Sequence, residues 1–375
     1  MIFSFNALLL TELSTGMRTH IHGLIKGFRE LEPDGRMVFL VKPGIRRALN
    51  LPDWNNARYL EIPLSSFRLG RIIAESFLIP IFESRYKVQA SFSPTPYLPL
   101  FPRVPSILTC VDFCYKHFPV DYGKMRTWYL RKNFQRSLAK AQGITTTTNK
   151  VKKELLSYFG NISAPIEVIP LGVDREYFEM KKCPGHAVRE KYGMDGEIIL
   201  STGGASQRKN VKTLIAAYSN LPGELKKNHT VVILGPCAES EKYQLLANLS
   251  EVDRNRIRFT GFIREDEKLS FFAMAKLFVF PSLDEGFGLP PLEAMAAGLP
   301  TLCSDIEVFR ENCQQTALYF DPHSAEDLAG RIALLLNDRS LREHYAAQGR
   351  IHAGRFSWQN ASRQVHAFLQ RIALA

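Results

Sequence analysis

The sequence predicts an α/β protein with two domains, each built on a parallel β-sheet. Three observations support this prediction. The chain has 375 residues, more than a single hydrophobic core usually organises. Short apolar runs alternate with longer amphipathic ones, which is typical of parallel strands connected by helices. A turn-rich segment at residues 170–196, after which strands resume, indicates the boundary between the domains.

Eight apolar runs predict buried strands, in addition to a first strand within the N-terminal "MIFSFNALLL". They lie at residues 37–41, 106–111, 143–147, 166–169, 197–201, 230–234, 257–260 and 277–280. Amphipathic patterns predict helices at residues 15–30, 121–141, 149–159, 209–220, 241–250 and 265–275. The N-terminal run lacks a basic segment and a cleavage site, which favours a strand over a signal peptide. No run of about 18 apolar residues occurs, so we expect no membrane-spanning helix and a cytoplasmic location.

The positive charge of the chain is concentrated in its first half. Residues 1–170 contain 23 Lys and Arg against 12 Asp and Glu, a balance of +11, whereas residues 171–375 contain 25 of each. A basic half suggests an anionic partner, such as nucleic acid, a phospholipid surface or a phosphorylated substrate. The sequence has no recognised nucleic-acid motif, so we expect no nucleic-acid partner. The cysteines have neither disulfide-framework nor zinc-ligand spacing, which fits a reducing cytosol: Cys110, Cys114, Cys183, Cys237, Cys303 and Cys313.

Two glycine-containing loops follow predicted strands and precede predicted helices. In "TGGASQRKN", which includes Gly203, backbone N–H groups at a helix start could face an anion. Arg208 and Lys209 would add positive charge there, and Asn210 is a plausible N-cap. The loop matches neither the Walker nor the G-x-G-x-x-G pattern, and two adjacent glycines alone fit a plain turn equally well.

The other loop lies near the N-terminus, in "LSTGMRTHIHGLI". Here Ser14 and Thr15 precede Gly16, which could let the backbone approach a ligand closely or could be an ordinary loop glycine. His20 and His22 are two residues apart on a predicted helix and therefore do not share a face. We expect them to be packing or surface residues, not metal ligands.

The segment "EGFGLPPLE", residues 285–293, places a carboxylate at each end of a run rich in glycine and proline. Pro290 and Pro291 suit the first turn of a helix, where a missing N–H is tolerated. This predicts Glu285 in a loop after a strand and Glu293 in the first helical turn. Ionised carboxylates are strong acceptors for sugar hydroxyls, and a helix N-terminus favours phosphate. The simpler alternative is a loop acid followed by a helix-start acid.

This segment resembles the E-x7-E signature of the retaining glycosyltransferases of family 4, which have the two-domain GT-B fold. Further segments match the family in order: "STG", "TTTTNKVKKELLSYFG", "IEVIPLGVDREYF", "GGASQRKN", "FTGFIRED" and "FSWQNA". The resemblance covers most of the chain and implies two Rossmann-like domains facing each other across a cleft. Residues 1–172 would bind the acceptor and residues 173–355 the nucleotide-sugar. Residues 356–375 would form a helix that crosses back toward the N-terminal domain.

The resemblance also implies roles for individual residues. Arg208 and Lys209 correspond to the pair that neutralises the donor diphosphate. Glu285 corresponds to the acid beside the transferred sugar, and Glu293 to the acid that binds the ribose. The remaining implied substrate contacts are Gly16 and Gly203 in the two glycine loops, Ile263 beside the base, and the backbone of Phe287, Gly288 and Leu289 around sugar and phosphate.

One position departs from the family pattern. Relatives often have His-Asp after a middle strand of the N-terminal domain, whereas this chain has "TCVDFCY", with Val111 before Asp112. Asp112 is therefore included in the candidate catalytic set without a neighbouring imidazole.

The function implied by the resemblance is retaining transfer of a hexose from a nucleotide-diphosphate sugar to a glycan or lipid-linked glycan. The forms "LSTGMR", "RKN" and "EGFGLPPLE" resemble those of bacterial polysaccharide mannosyltransferases, which implies a role in surface polysaccharide synthesis. A GDP-sugar such as GDP-mannose is therefore favoured, and a UDP-sugar is the second choice. No cofactor is expected, and the chain has no Asp-x-Asp motif, which fits a metal-independent reaction. A sugar-nucleotide epimerase on the same scaffold and a non-catalytic nucleotide-sugar-binding protein are the alternatives.

The segment "DYGKMRTWYLRKNFQRSLAK" combines basic residues with a tryptophan on a predicted helix. Trp128, Leu130, Phe134 and Leu138 are predicted to share one broad apolar face. Such a helix could place the protein peripherally on an anionic membrane surface. Alternatively, the apolar face packs on the sheet of its own domain.

Overall fold

The computed structural model describes residues 1–12, 15–63, 74–181 and 185–375, and the chain divides into two compact units. Unit 1 comprises Met1–Gly172 together with Phe356–Ala375, and unit 2 comprises Val173–Arg355. Ser14 and Cys183, which were considered above, lie outside the described ranges.

In the described part of unit 1, a parallel sheet has the strand order β3-β2-β1-β4-β5-β6-β7. Its strands are β1 (Ile2–Asn6), β2 (Arg36–Val41), β3 (Ala57–Glu61), β4 (Ala90–Ser93), β5 (Ser106–Cys110), β6 (Gly143–Thr146) and β7 (Ile166–Val168). Its connecting helices are α1 (Gly16–Leu31), α2 (Ile45–Ala48), α3 (Ile79–Arg85), α4 (Cys114–His117), α5 (Pro119–Tyr122), α6 (Lys124–Leu138) and α7 (Asn149–Phe159), with a π-helical turn at Ala74–Leu78. The N-terminal run forms a strand, as predicted.

Unit 2 repeats this architecture. In its described part the sheet order is β10-β9-β8-β11-β12-β13, and all pairs are parallel. The strands are β8 (Glu197–Thr202), β9 (His229–Leu234), β10 (Ile257–Phe259), β11 (Ala275–Phe280), β12 (Thr301–Ser304) and β13 (Leu318–Phe320). The helices are α8 (Arg175–Glu179), α9 (His186–Tyr192), α10 (Val211–Ser219), α11 (Gly223–Asn228), α12 (Glu239–Leu246), α13 (Glu251–Arg254), α14 (Glu265–Met274), α15 (Leu289–Ala296), α16 (Glu307–Cys313), α17 (Ala325–Asn337) and α18 (Arg339–Ala353). Every residue of β9 and β12 is buried, so both faces of this sheet are covered, as expected for parallel strands.

The last helix, α19 (Trp358–Leu374), belongs to unit 1 and packs on α1. Gly23 makes this contact possible, since a Cβ there would lie 2.1 Å from Cε2 of Trp358. The ring of His20 stacks on Trp358, with 6.3 Å between ring centroids. The predicted return of the C-terminal helix to the N-terminal domain is confirmed, and His20 is a packing residue.

One prediction for the 121–141 segment is wrong, and a second is confirmed in part. The predicted single helix is interrupted at Gly123, where φ is +75°, and α5 and α6 lie on either side. The predicted shared apolar face is confirmed for Leu130, Phe134 and Leu138, which pack on the sheet of their own domain, but not for Trp128. Phe134 and Leu138 are buried in the core of unit 1, whereas the side chain of Trp128 is 62% exposed. The helix is anchored by its C-terminal part and leaves the tryptophan at the surface.

Candidate functional site

Two loops with predicted site residues leave neighbouring strands of the unit 2 sheet. The loop after β8 contains Arg208 and Lys209, and the loop after β11 contains Glu285. β8 and β11 are adjacent in the sheet, and parallel neighbours end at the same sheet edge. The structure therefore brings together side chains that are 76 residues apart in the sequence.

Glu285 is the centre of this cluster. Its Oε1 lies 2.6 Å from Nζ of Lys209 and 2.6 Å from Nη1 of Arg208. Ser282 Oγ donates a hydrogen bond of 2.9 Å to the same oxygen. Arg208 also donates to the backbone carbonyl of Asp284 at 2.9 Å, which ties the two loops together. The three charged side chains are largely buried, with exposures between 12% and 19%.

These contacts determine the charge of the site. Burial alone would raise the pKa of Glu285, but Lys209 and Arg208 outweigh burial and lower it to about 2. The carboxylate is therefore ionised at neutral pH. Two cations and one anion leave the cluster with a net positive charge, which suits an anionic ligand.

The glycine loop after β8 corrects one prediction. The N–H groups of Gly203 and Gly204 both donate to the carbonyl of Leu234, at 2.7 and 3.1 Å. They therefore do not form an anion-binding nest, and the positive charge of this loop comes from its side chains. Gly203 also packs against a site residue: a Cβ there would lie 2.6 Å from Cε of Lys209. This glycine, with φ at +111°, makes room for the lysine side chain.

Asn210 occupies the N-cap position of α10 but does not cap the helix through its side chain. Its φ is +51°, its Nδ2 donates to the carbonyl of Pro322, and its Oδ1 accepts from the hydroxyl of Thr213. The predicted cap is therefore replaced by a link to the loop after β13.

The segment 285–293 forms a sharp turn followed by α15. Gly288 has φ at +82°, a left-handed conformation that glycine adopts without strain. Pro290 and Pro291 lie in the first helical turn, as predicted. Phe287 and Leu289 are buried and have no polar side-chain atoms, so this turn could form hydrogen bonds to a ligand only through its backbone.

Glu293 is not in the first turn, contrary to the prediction. α15 begins at Leu289, so Glu293 is its fifth residue, and it is almost fully buried. Both of its oxygens lie near Nζ of Lys268, at 3.0 and 2.9 Å. Lys268 also approaches Glu265 at 3.5 Å, and Tyr177 donates to Glu265 at 3.3 Å.

The charges of this buried pair depend on each other. Burial lowers the pKa of Lys268, but Glu293 and Glu265 outweigh this effect and raise it. Burial raises the pKa of Glu293, with Lys268 opposing it. Sequence reasoning missed Lys268, because one lysine on an acidic helix start has no distinguishing local pattern.

The remaining predicted residues lie apart from this cluster in the sequence. Ile263 is in the loop between β10 and α14 and is half-buried. Asp112 and Gly16 belong to unit 1. Oδ1 of Asp112 accepts from the backbone N–H of Cys114 at 3.1 Å. Gly16 is the first residue of α1 and has open space where a Cβ would be, so packing does not require glycine there.

Comparisons with known proteins agree with this architecture. Residues 14–177 match the family model described as "Glycosyltransferase Family 4", and residues 187–352 match "Glycosyl transferases group 1". HepE from Anabaena, solved with UDP-glucose, superposes with a TM-score of 0.75 at 16% identity, covering 99% of this chain and 100% of that one. This likeness, like the parallel sheets of both units, shows the GT-B fold.

The chain belongs to the group 1 and family 4 glycosyltransferases. It is similar to the serotype-specific mannosyltransferase WbdA of Escherichia coli, with 32% identity over 244 residues, 63% of this chain and 29% of WbdA. It is also 29% identical over 262 residues to the O-antigen chain mannosyltransferase B of Escherichia coli, covering 69% of this chain and 66% of that protein. The chain thus spans less than a third of WbdA and about two thirds of mannosyltransferase B.

Proposed function

We propose that this protein is a retaining glycosyltransferase that transfers a hexose from a nucleotide-diphosphate sugar to a glycan or lipid-linked glycan in bacterial surface polysaccharide synthesis. The observation that carries the proposal is the cluster of Arg208, Lys209 and Glu285 at the carboxyl edge of the unit 2 sheet. Its net positive charge suits the diphosphate of such a donor.

The chemistry follows from these charges. Breaking the bond between sugar and diphosphate places negative charge on the leaving group and positive charge on the sugar. Arg208 and Lys209 would stabilise the leaving diphosphate, and the ionised Glu285 would lie near the sugar. We propose that the acceptor attacks from the side on which the diphosphate leaves, so that the configuration is retained. The reaction is proposed to be independent of metal because the sequence has no Asp-x-Asp motif.

We favour a GDP-sugar as donor, since mannosyltransferases are among the similar proteins. A UDP-sugar is the alternative, because HepE was solved with UDP-glucose.

The test is calorimetric titration with GDP, UDP and their sugars, followed by a transfer assay with EDTA present. Nucleoside diphosphate released only when a glycan acceptor is added would support the transferase. Conversion of the donor without acceptor would identify an epimerase, and binding without turnover would identify a non-catalytic protein.

We also propose that unit 1 contacts an anionic membrane surface. Besides Trp128, Val120 on α5 and Met125 on α6, the helix that contains Trp128, are 82% and 84% exposed. Arg131 and Lys132, on the same helix, are exposed as well. Apolar side chains beside cations suit the headgroup region of an anionic bilayer. Within the described residues no helix is long and apolar enough to cross a membrane, and this proposal requires none.

A further inference from the structure

The turn that follows Glu285 rests on α16 through two side chains of that helix. Nδ2 of Asn312 donates a 2.6 Å hydrogen bond to the carbonyl oxygen of Phe287, and Asn312 is buried. Phe309 lies three residues earlier, on the same side of the helix. A Cβ at Gly288 would lie 2.5 Å from Cε1 of Phe309. One hydrogen bond and one ring contact therefore hold the turn against α16.

His352 in turn holds the end of α16. Its Nε2 lies 2.7 Å from the backbone carbonyl oxygen of Asn312, and the ring is buried. A carbonyl oxygen only accepts hydrogen bonds, so Nε2 carries the proton. The last carbonyls of a helix have no partner within the helix, and His352 supplies one. Its helix, α18, also packs on α15, since a Cβ at Gly349 would lie 2.9 Å from Cγ of Met295.

Because the peptide bond is planar, these contacts also fix the orientation of the peptide group between Phe287 and Gly288. The carbonyl of Phe287 and the N–H of Gly288 belong to one rigid trans unit and point in opposite directions. Because Asn312 fixes the carbonyl, it also directs the N–H of Gly288 away from α16. Phe287, Gly288 and Leu289 have no polar side-chain atoms, so backbone groups are the hydrogen-bonding groups that this turn can offer to a ligand.

We propose that Asn312, supported by His352, is a positioning residue that orients the Phe287–Leu289 backbone toward the nucleotide-sugar donor. This inference rests on the proposed function and extends it to two residues that do not touch the donor themselves. Neither residue lies in a segment that the sequence pattern identified as functional.

The test compares Asn312→Leu, which removes the amide at similar volume, with Thr230→Val. Thr230 is a matched control because its buried hydroxyl also donates to a backbone carbonyl of unit 2, that of Asp195 at 2.6 Å. Hydrogen exchange of residues 286–289 should become about tenfold faster in Asn312→Leu and remain unchanged in the control. The donor KM should rise about tenfold only in Asn312→Leu, with a smaller change in kcat. Exchange and KM equal to those of Thr230→Val would overturn the proposal.

A second pair of variants tests the support from His352. His352→Gln keeps an N–H near the position of Nε2, whereas His352→Leu does not. We expect exchange in the loop to be near normal in His352→Gln and faster in His352→Leu; identical behaviour would remove His352 from the proposal. A wild-type chain that binds no nucleotide-sugar would overturn the proposed function, whereas unchanged loop exchange in Asn312→Leu would overturn the positioning alone.

Discussion

Glu285 shares its two cations with the diphosphate that we assign to them. Lys209 and Arg208 both contact Oε1 of Glu285 at 2.6 Å, so a bound diphosphate would compete with the carboxylate for them. The carboxylate keeps the cations in place, and the cations keep the carboxylate ionised. Substitutions on the two sides of this cluster should therefore have different effects on binding and on turnover.

Lys209→Ala should weaken the binding of nucleoside diphosphate by about 1.5–3 kcal/mol, the usual contribution of a hydrogen bond to a charged group. Lys212→Ala is the matched control, since Lys212 lies three residues further along and is exposed. Calorimetry with GDP and UDP measures both variants. Equal affinities for the two variants would mean that Lys209 does not bind the diphosphate.

The variants Glu285→Gln and Glu293→Gln should distinguish the proposed contact with the transferred sugar from the proposed contact with the ribose. Glu285→Gln should lower kcat at least tenfold while nucleotide affinity stays near normal, because Arg208 and Lys209 remain. Glu293→Gln should mainly weaken nucleotide binding. Steady-state kinetics and calorimetry on both variants are the measurement. The reverse pattern would show that the two roles are exchanged, and two silent variants would place the site elsewhere.

The pKa of Glu285 predicts an acid dependence of stability. Because the folded-state pKa is lowered from 4.5 to about 2, the unfolded chain binds more protons in this interval and stability falls as pH decreases from about 4.5 to about 2. The difference between the two pKa values corresponds to about 3 kcal/mol. Urea unfolding of wild type and Glu285→Gln across this range should show the steeper loss in wild type. Parallel curves would contradict the ionised, cation-held state of Glu285.

At the scale of elements, the turn between β11 and α15 depends on Gly288. An alanine there would need a left-handed φ of +82° and would meet the Phe309 ring. Gly288→Ala should therefore cost about 1–3 kcal/mol and impair donor binding. Gly330→Ala, in the open middle of α17, should instead stabilise the protein by about 0.5–1 kcal/mol. Thermal unfolding of both variants checks this prediction, and a neutral Gly288→Ala would mean that the turn is not fixed.

The strands and the site residues differ in how far they could be predicted from the sequence. Long apolar runs such as residues 230–234 were identified as strands because their burial is visible locally. β4 was missed because its sequence, "ASFS", is short and partly polar, and its burial comes from pairing with β1 and β5. In the site, the loop patterns after two predicted strands indicate Arg208, Lys209 and Glu285, and the family resemblance supplies their roles. Asn312 could not be found, since a side chain that binds a backbone carbonyl 25 residues away leaves no pattern in the sequence.

At the scale of the whole molecule, the charge is divided unequally along the chain. The balance of +11 falls within residues 1–170, and the remainder is neutral. Part of this charge has structural partners: Arg136 and Lys140 donate to the carbonyls of Leu98 and Leu100. Arg131 and Lys132 are exposed on α6, so they are available to an anionic surface.

Replacing Arg131 and Lys132 with glutamine should therefore weaken binding to anionic vesicles. Each cation near such a surface contributes about 1 kcal/mol at low salt, so the double variant should lose about 2 kcal/mol. Lys212→Gln/Lys227→Gln, which removes two exposed lysines of unit 2, should bind as wild type does. Co-sedimentation with anionic and neutral vesicles across a salt series measures the effect. Two results would contradict the membrane proposal: equal binding to anionic and neutral vesicles, or no vesicle binding at about 50 mM salt, where screening is weak. Either result would assign the positive charge of unit 1 to an anionic acceptor in solution.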